Sequence, residues 1–197
     1  MVKTDALGNI EWNQTYGGTW SSEVSSLVET TDGGYAMAGY AQFTGSTDFW
    51  LVKTDALGNM QWNRTYGDLG ENVEMASALV ATSDGRYAVA GRKMFAGPSW
   101  DNFWLVKTDS FGNMQWNQTY GGNAIESANS LVATSDGGYA LAGRTTSFGA
   151  GSDDFWVVKT DEFGVLPEYS SWLIPALVLT ATAFIIINKK RLLNKRS

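Results

Sequence analysis

The stretch FWLVKTDSFGNMQWNQTYG, residues 103–121, occurs almost letter for letter once before, as FWLVKTDALGNMQWNRTYG at residues 49–67. The chain opens on VKTDALGNIEWNQTYG from Val2 and returns to FWVVKTDEFG from Phe155. Between these copies lie SLVETTDGGYAMAG from Ser26, ALVATSDGRYAVAG from Ala78 and SLVATSDGGYALAG from Ser130. A fixed period of about 52 residues marks a stacked-repeat architecture, in which each unit buries its apolar surface on its neighbours.

Each unit holds four apolar runs, here A (ALVATSD), B (YAVAGR), C (FWLVKTD) and D (MQWNRTYG). A and B are joined by Asp-Gly-Gly or Asp-Gly-Arg, a tight-hairpin signal because glycine takes positive φ at no steric cost. C and D are joined by Asp-x-x-Gly, in which the Asp carboxylate can accept turn amides. Asp5, Asp55, Asp109 and Asp161 recur in every copy and read as turn formers, since a catalytic acid should break a repeat rather than obey it. In run C, Trp50 and Val52 alternate with Phe49 and Leu51, so the strand is expected to be covered on both faces. In run D, Met60, Trp62 and Tyr66 are expected on one face and Gln61, Asn63 and Thr65 on the other. Run B carries small residues, Ala88, Ala90 and Gly91, suited to a crowded position.

This pattern predicts an all-β protein, a β-propeller-like array of four-stranded antiparallel blades. A parallel β-helix is the runner-up; its coils usually have a shorter period. Blades are expected over residues 22–67, 72–121 and 126–161, the last lacking run D, within a repeat domain of residues 1–166. The N-terminal piece, residues 2–17, is expected to belong to a preceding blade or to close the third. Three blades are fewer than the usual four to eight. The chain is therefore expected to be the C-terminal part of a longer array, with open edges that self-associate.

The run Lys-Thr-Asp-x-x-Gly-Asn-x-x-Trp at C and D resembles the tryptophan-docking repeats of quinoprotein-type propellers. The whole unit, with TDGGY, AG, DFWLVK and W-x-x-TYGG as landmarks, is similar to a repeat of archaeal and bacterial surface proteins, over about residues 2–164. The resemblance implies a propeller and no activity. Quinone and calcium residues of quinoprotein dehydrogenases have no counterparts here, so the likeness extends to fold alone.

Composition narrows the chemistry. Cysteine and histidine are both absent, which removes disulfides, thiolate metal sites, the commonest general base and the commonest zinc ligand. The net charge is −6 although Lys189, Lys190, Arg191, Lys195 and Arg196 crowd the C-terminus, so the repeats themselves are strongly acidic. Such a surface argues against nucleic acid as a partner. No phosphate-binding loop, dinucleotide fingerprint, nucleophile elbow or metal-ligand spacing is present. No cofactor, no metal and no catalytic residue is expected.

After Pro167 the pattern changes. Residues 169–187 carry no charge and include WLIPALVLTATAFIII; as a helix they reach roughly 28 Å, the thickness of a bilayer core. The expectation is a linker over 167–171, a transmembrane helix over 172–188 and a basic tail over 189–197. Positive-inside orientation places the tail in the cytoplasm and the repeats outside the cell membrane. The order Pro-Glu-aromatic, apolar helix, basic tail resembles archaeal PEF-type C-terminal anchoring signals, with Tyr169 in place of their Phe.

The repeats disagree in their B–C loops, AQFTGSTD, KMFAGPSWDN and TTSFGAGSDD. These carry Phe43, Phe95, Trp100 and Phe148 beside Asp48, Asp101, Asp153 and Asp154, a mixture suited to sugars or a cation. Asn13, Asn63 and Asn117 each begin an Asn-x-Thr sequon on run D, where an exported protein would accept glycans. The expected function is non-catalytic: a membrane-anchored extracellular repeat protein for display, adhesion or binding, with surface glycans or proteins as partners. The alternatives are a membrane-tethered assembly scaffold, or a fragment of a propeller-type glycan hydrolase or lyase.

Overall fold

Every A–B and C–D junction is a tight turn of one kind. Gly33, Gly85 and Gly137 close A–B turns onto Thr30, Thr82 and Thr134, with N–H···O distances of 2.9–3.0 Å. In the C–D turns Asp55 Oδ1 accepts the amides of Leu57 and Asn59, both at 2.9 Å, while Oδ2 accepts Asn59 Nδ2. Asp5 and Asp109 repeat all three bonds, and Asp161 the two amide bonds. The invariant aspartates thus serve as turn formers.

A computed structural model describes residues 1–43, 45–68, 73–95 and 100–167. Residues Met1–Leu166 form one compact unit. The second unit, Pro167–Ser197, lies almost wholly outside the described residues, and the expected transmembrane helix and basic tail fall there. Among the described residues no helix is long and apolar enough to cross a membrane.

The first unit is all-β. A hairpin, β1 (Val2–Thr4) and β2 (Ile10–Asn13), precedes three repeats. The first is β3 (Ser22–Glu29), β4 (Tyr35–Phe43), β5 (Ser46–Thr54) and β6 (Met60–Tyr66). The second is β7 (Val73–Ala81), β8 (Tyr87–Met94), β9 (Asp101–Thr108) and β10 (Met114–Tyr120). The third is β11 (Glu126–Ala133), β12 (Tyr139–Thr145) and β13 (Asp154–Thr160). Within each repeat the strands pair antiparallel in chain order. Adjacent repeats meet through one parallel bridge each, Thr47 to Val73 and Asp101 to Ile125.

The glycine that follows the alanines of run B, at Gly39, Gly91 and Gly143, has a backbone cause. Run A bulges at Val24/Ser26, Ala76/Ala78 and Ala128/Ser130, pushing a carbonyl against the facing glycine. A Cβ on Gly91 would lie 2.0 Å from the Met75 carbonyl oxygen, so only glycine fits there.

In the first two repeats run C is covered on both faces, because each repeat presents one face forward and the other backward. Phe49, Leu51, Ala36, Ala38 and Tyr66 of the first repeat form one buried cluster with Ala76, Leu79, Tyr87, Val89, Trp104 and Val106 of the second. Phe103, Leu105, Ala88, Ala90 and Tyr120 meet the equivalent residues of the third repeat. Phe49 stands 4.5 Å from Trp104 and Phe103 stands 4.7 Å from Trp156, ring centre to ring centre.

Run D then staples each unit to the next. Trp62 stands edge-on to Tyr87 at 5.8 Å and lies over Gly112, where a Cβ would come within 2.7 Å of its ring. Tyr66 donates its hydroxyl to the Gly112 carbonyl at 2.7 Å. Trp116 and Tyr120 hold Tyr139 and Gly164 in the same way. So do Trp12 and Tyr16 with Tyr35 and Gly58. The N-terminal hairpin therefore docks on the first repeat as a preceding unit would, and β2 pairs with β1 rather than with β13.

One expectation about run D is corrected. Met60 does not share a face with Trp62 and Tyr66. The register shifts between Lys53 and Thr54, so Gln61 bulges and Met60 turns to the face of Asn63, whose Nδ2 lies 3.4 Å from its sulfur. A bulge reverses the alternation that a period of two assumes.

Candidate binding surface at the B–C loop edge

The B–C loops, the starts of run A and the ends of run D gather along one edge of the sheets. Phe43 ends β4, paired with Ser46, and its side chain lies outside the described residues. Phe95 and Trp100 face each other across the second loop through the bond from the Phe95 amide to the Trp100 carbonyl, 3.1 Å. Trp100 is 37% exposed. Phe148 is 46% exposed and sits 5.2 Å from the Trp156 ring. Phe95, Trp100 and Phe148 thus stand partly open on this edge.

The loop carboxylates divide between structural and free roles. Asp101 is buried and paired with Arg92 at 2.9 Å, and Asp153 repeats the pairing with Arg144 at 2.7 Å. Both close the base of their loop. Asp154 accepts the amides of Ala150 and Gly151, both at 3.0 Å, and so shapes its own loop. Asp48 differs: its Oδ1 is buried and has no partner among the described residues, and burial holds the carboxyl above its ordinary range. Among the described residues no group of three or more carboxylates is arranged to hold a metal ion.

Sequence reasoning missed the group next to Asp48. Glu74, at the start of β7, is fully buried, and among the described residues no side chain donates a hydrogen bond to its carboxylate. Lys93 Nζ lies 3.8 Å away and is itself engaged by Asp68 at 2.5 Å. Lys93 also stands over the Trp104 ring at 4.8 Å and the Phe95 ring at 5.8 Å. Burial pushes Glu74 up to about 7; Lys93 works against this and the charge of Asp48 adds to it. At the next junction Glu126 occupies the same place with the opposite result. Burial raises it, but Ser147, the Gly122 amide and Thr145 Oγ1 donate to it and together hold it below the usual range. The signal was available as Glu74 and Glu126 aligning where the first repeat has Ser22, though what faces them depends on the neighbouring repeat.

The sequon asparagines are exposed along run D, and two of them have a second task. Asn63 Oδ1 accepts the Trp50 indole N–H at 3.3 Å, and Asn117 Oδ1 accepts that of Trp104 at 3.0 Å. Packing of the indole therefore accounts for their recurrence, and Asn13 lies equally exposed in β2.

The opposite edge, formed by the turns, carries two grooves at equivalent repeat junctions. The larger, about 860 Å³, is lined by Asp32, Lys53, Trp62, Tyr87 and Phe111 among others. The smaller, about 570 Å³, includes Asp84, Lys107, Trp116, Tyr139 and Phe163. Lys53 pairs with Asp32 at 2.8 Å and holds that carboxyl down at about 2. In the second repeat Asp84 pairs with Arg86 instead.

No protein-family model matches the chain, and a search of curated proteins returns no match.

Proposed function

We propose that the chain is a non-catalytic, propeller-type repeat protein, held in the cell membrane by residues 172–188, that binds surface glycans or proteins through its B–C loop edge. The propeller reading is supported by two four-stranded and one three-stranded antiparallel repeats that stack face to face and grip one another through the same Trp, Tyr and Gly. The membrane reading is supported by the uncharged run and the basic residues that follow it.

One observation carries the binding assignment. The scaffold is the same in every repeat, while partly exposed Trp100 and Phe148 stand on the loops where the repeats differ. Aromatic faces beside polar groups suit sugar rings, and variable loops on a constant scaffold suit selective binding. Enzymatic chemistry is disfavoured by the loop carboxylates themselves, since Asp101 and Asp153 are tied to arginines.

The test is binding of the full chain to an array of surface polysaccharides and to intact cells, compared with a Trp100→Ala/Phe95→Ala variant. The expected result is at least a tenfold loss of binding with unchanged circular dichroism. Unchanged binding by the variant would overturn the assignment to this edge.

A further inference from the structure

The third repeat presents a forward face that nothing in the compact unit covers. Phe103 is 0% exposed, yet its counterpart Phe155 is 101% exposed and Val157 is 67% exposed where Leu105 is 0%. The edge of β13 is also unpaired, since β5 and β9 each have a run D partner and β13 has none among the described residues. At the other end the first repeat leaves Val24 45% and Leu27 50% exposed, where Ala76 and Leu79 are 2% and 4%. Beside Trp50, the counterpart of Trp104, a cavity of about 380 Å³ stays open. One end thus offers a forward face without run D, and the other a backward face with run D already docked.

The two ends match residue by residue. Strand β1 pairs with β2 as Val2 to Asn13, Lys3 to Trp12 and Thr4 to Ile10. That is the register of Val52 to Asn63, Lys53 to Trp62 and Thr54 to Met60 in the first repeat. Residues 158–160 of β13 read Val-Lys-Thr, the same three letters as residues 2–4. Strand β13 can therefore replace β1 on β2 without a change of register. It would also set Val157 opposite Gln14, which Met1 now bonds, and add Phe155 to Tyr16 and Trp156 to Thr15, two pairs that β5–β6 and β9–β10 make and β1–β2 does not.

We infer that two copies of this chain exchange these strands, β13 of each pairing with β2 of the other in place of β1. Phe155 then lies on Trp50 of the second copy, as Phe49 lies on Trp104 and Phe103 on Trp156. The inference rests on the propeller reading proposed above. A second copy is the occupant because in-chain closure would make a ring of three sheets, and β2 does not pair with β13 of its own chain. Two copies give six complete four-stranded sheets, within the four to eight of closed propellers, and a two-fold ring leaves only the short, protected edges of a propeller.

The absence of cysteine makes a clean test. In the full chain, Gln14→Cys and Val157→Cys are introduced together, at the pair equivalent to Arg64 with Leu51 and Gln118 with Leu105. Facing residues of an antiparallel ladder are about 4.5–5.5 Å apart at Cα, within disulfide reach. A separate variant, Thr47→Cys/Val73→Cys, bridges the first and second repeats within one chain. The expected result is a species of twice the chain mass on non-reducing electrophoresis for the first variant, reverting with reductant, and a disulfide within one chain for the second. A disulfide within one chain for Gln14→Cys/Val157→Cys, or none while Thr47→Cys/Val73→Cys forms, would overturn the exchange and leave the stacking of repeats intact. Failure of both would overturn the propeller reading as well.

Discussion

Phe103→Ala is expected to lower the unfolding free energy by about 3–5 kcal/mol, the cost of removing a large buried aromatic side chain. Phe155→Ala, the same substitution one repeat later, should cost under about 0.5 kcal/mol in the dilute single chain. The two phenylalanines share their sequence context, FWLVKTD against FWVVKTD, so local propensity cannot separate them. What differs is the neighbour. Phe103 is closed in by Trp156 and by Leu131, Leu141 and Val158 of the third repeat, while Phe155 is fully exposed. Urea unfolding followed by tryptophan fluorescence checks both. Equal losses would mean that the forward faces of the second and third repeats are equally buried in one chain. At higher concentration Phe155→Ala should instead weaken pairing between copies, since there its ring is covered.

The second large effect is in pH. Glu74 takes up its proton more tightly in the folded chain, at about 7, than at its ordinary value of 4.5. Below 4.5 both folded and unfolded chains are protonated at this group and it costs the fold nothing. As pH rises from 4.5 towards 7 the unfolded chain releases the proton while the folded chain retains it, so stability falls. Above 7 both have released it and the loss is complete, about 3 kcal/mol. Among the described residues the charged groups that face Glu74 are Lys93, Asp48 and Asp68. Asp32, held at about 2 by Lys53, acts in the other direction and at lower pH, because its contribution is lost as pH falls through that value. Unfolding midpoints of the full chain measured from pH 5 to 8 should therefore decline, and Glu74→Gln should flatten the profile. A profile unchanged by Glu74→Gln would show that this carboxyl is solvated.

How much of this was legible depended on how local its cause is. The all-β class followed from alternation and turn residues, because Asp-Gly and Asp-x-x-Gly act within five residues of chain. Burial of both faces of run C was legible for the same reason: Trp50 and Val52 alternate with Phe49 and Leu51 and none is polar. Met60 was misplaced because a single bulge reverses the face of every residue beyond it, and no residue type announces that bulge. Asp101 and Asp153 read as loop ligands, yet Arg92 and Arg144 nine residues earlier consume them across a hairpin. The setting of Glu74 was the least legible, since Asp48 comes from another repeat and Glu126, with the same letter in the same place, finds hydroxyl and amide donors instead. Counting copies could not show where the N-terminal hairpin sits; docking of Trp12 and Tyr16 on Tyr35 and Gly58 does.

The central claim is that these repeats are propeller blades completed between copies of the chain. Single-particle electron microscopy of the purified full chain tests it most directly. Class averages with six sheets arranged radially about a two-fold axis are expected. An open row of three sheets, or a ring with any other number, would contradict it.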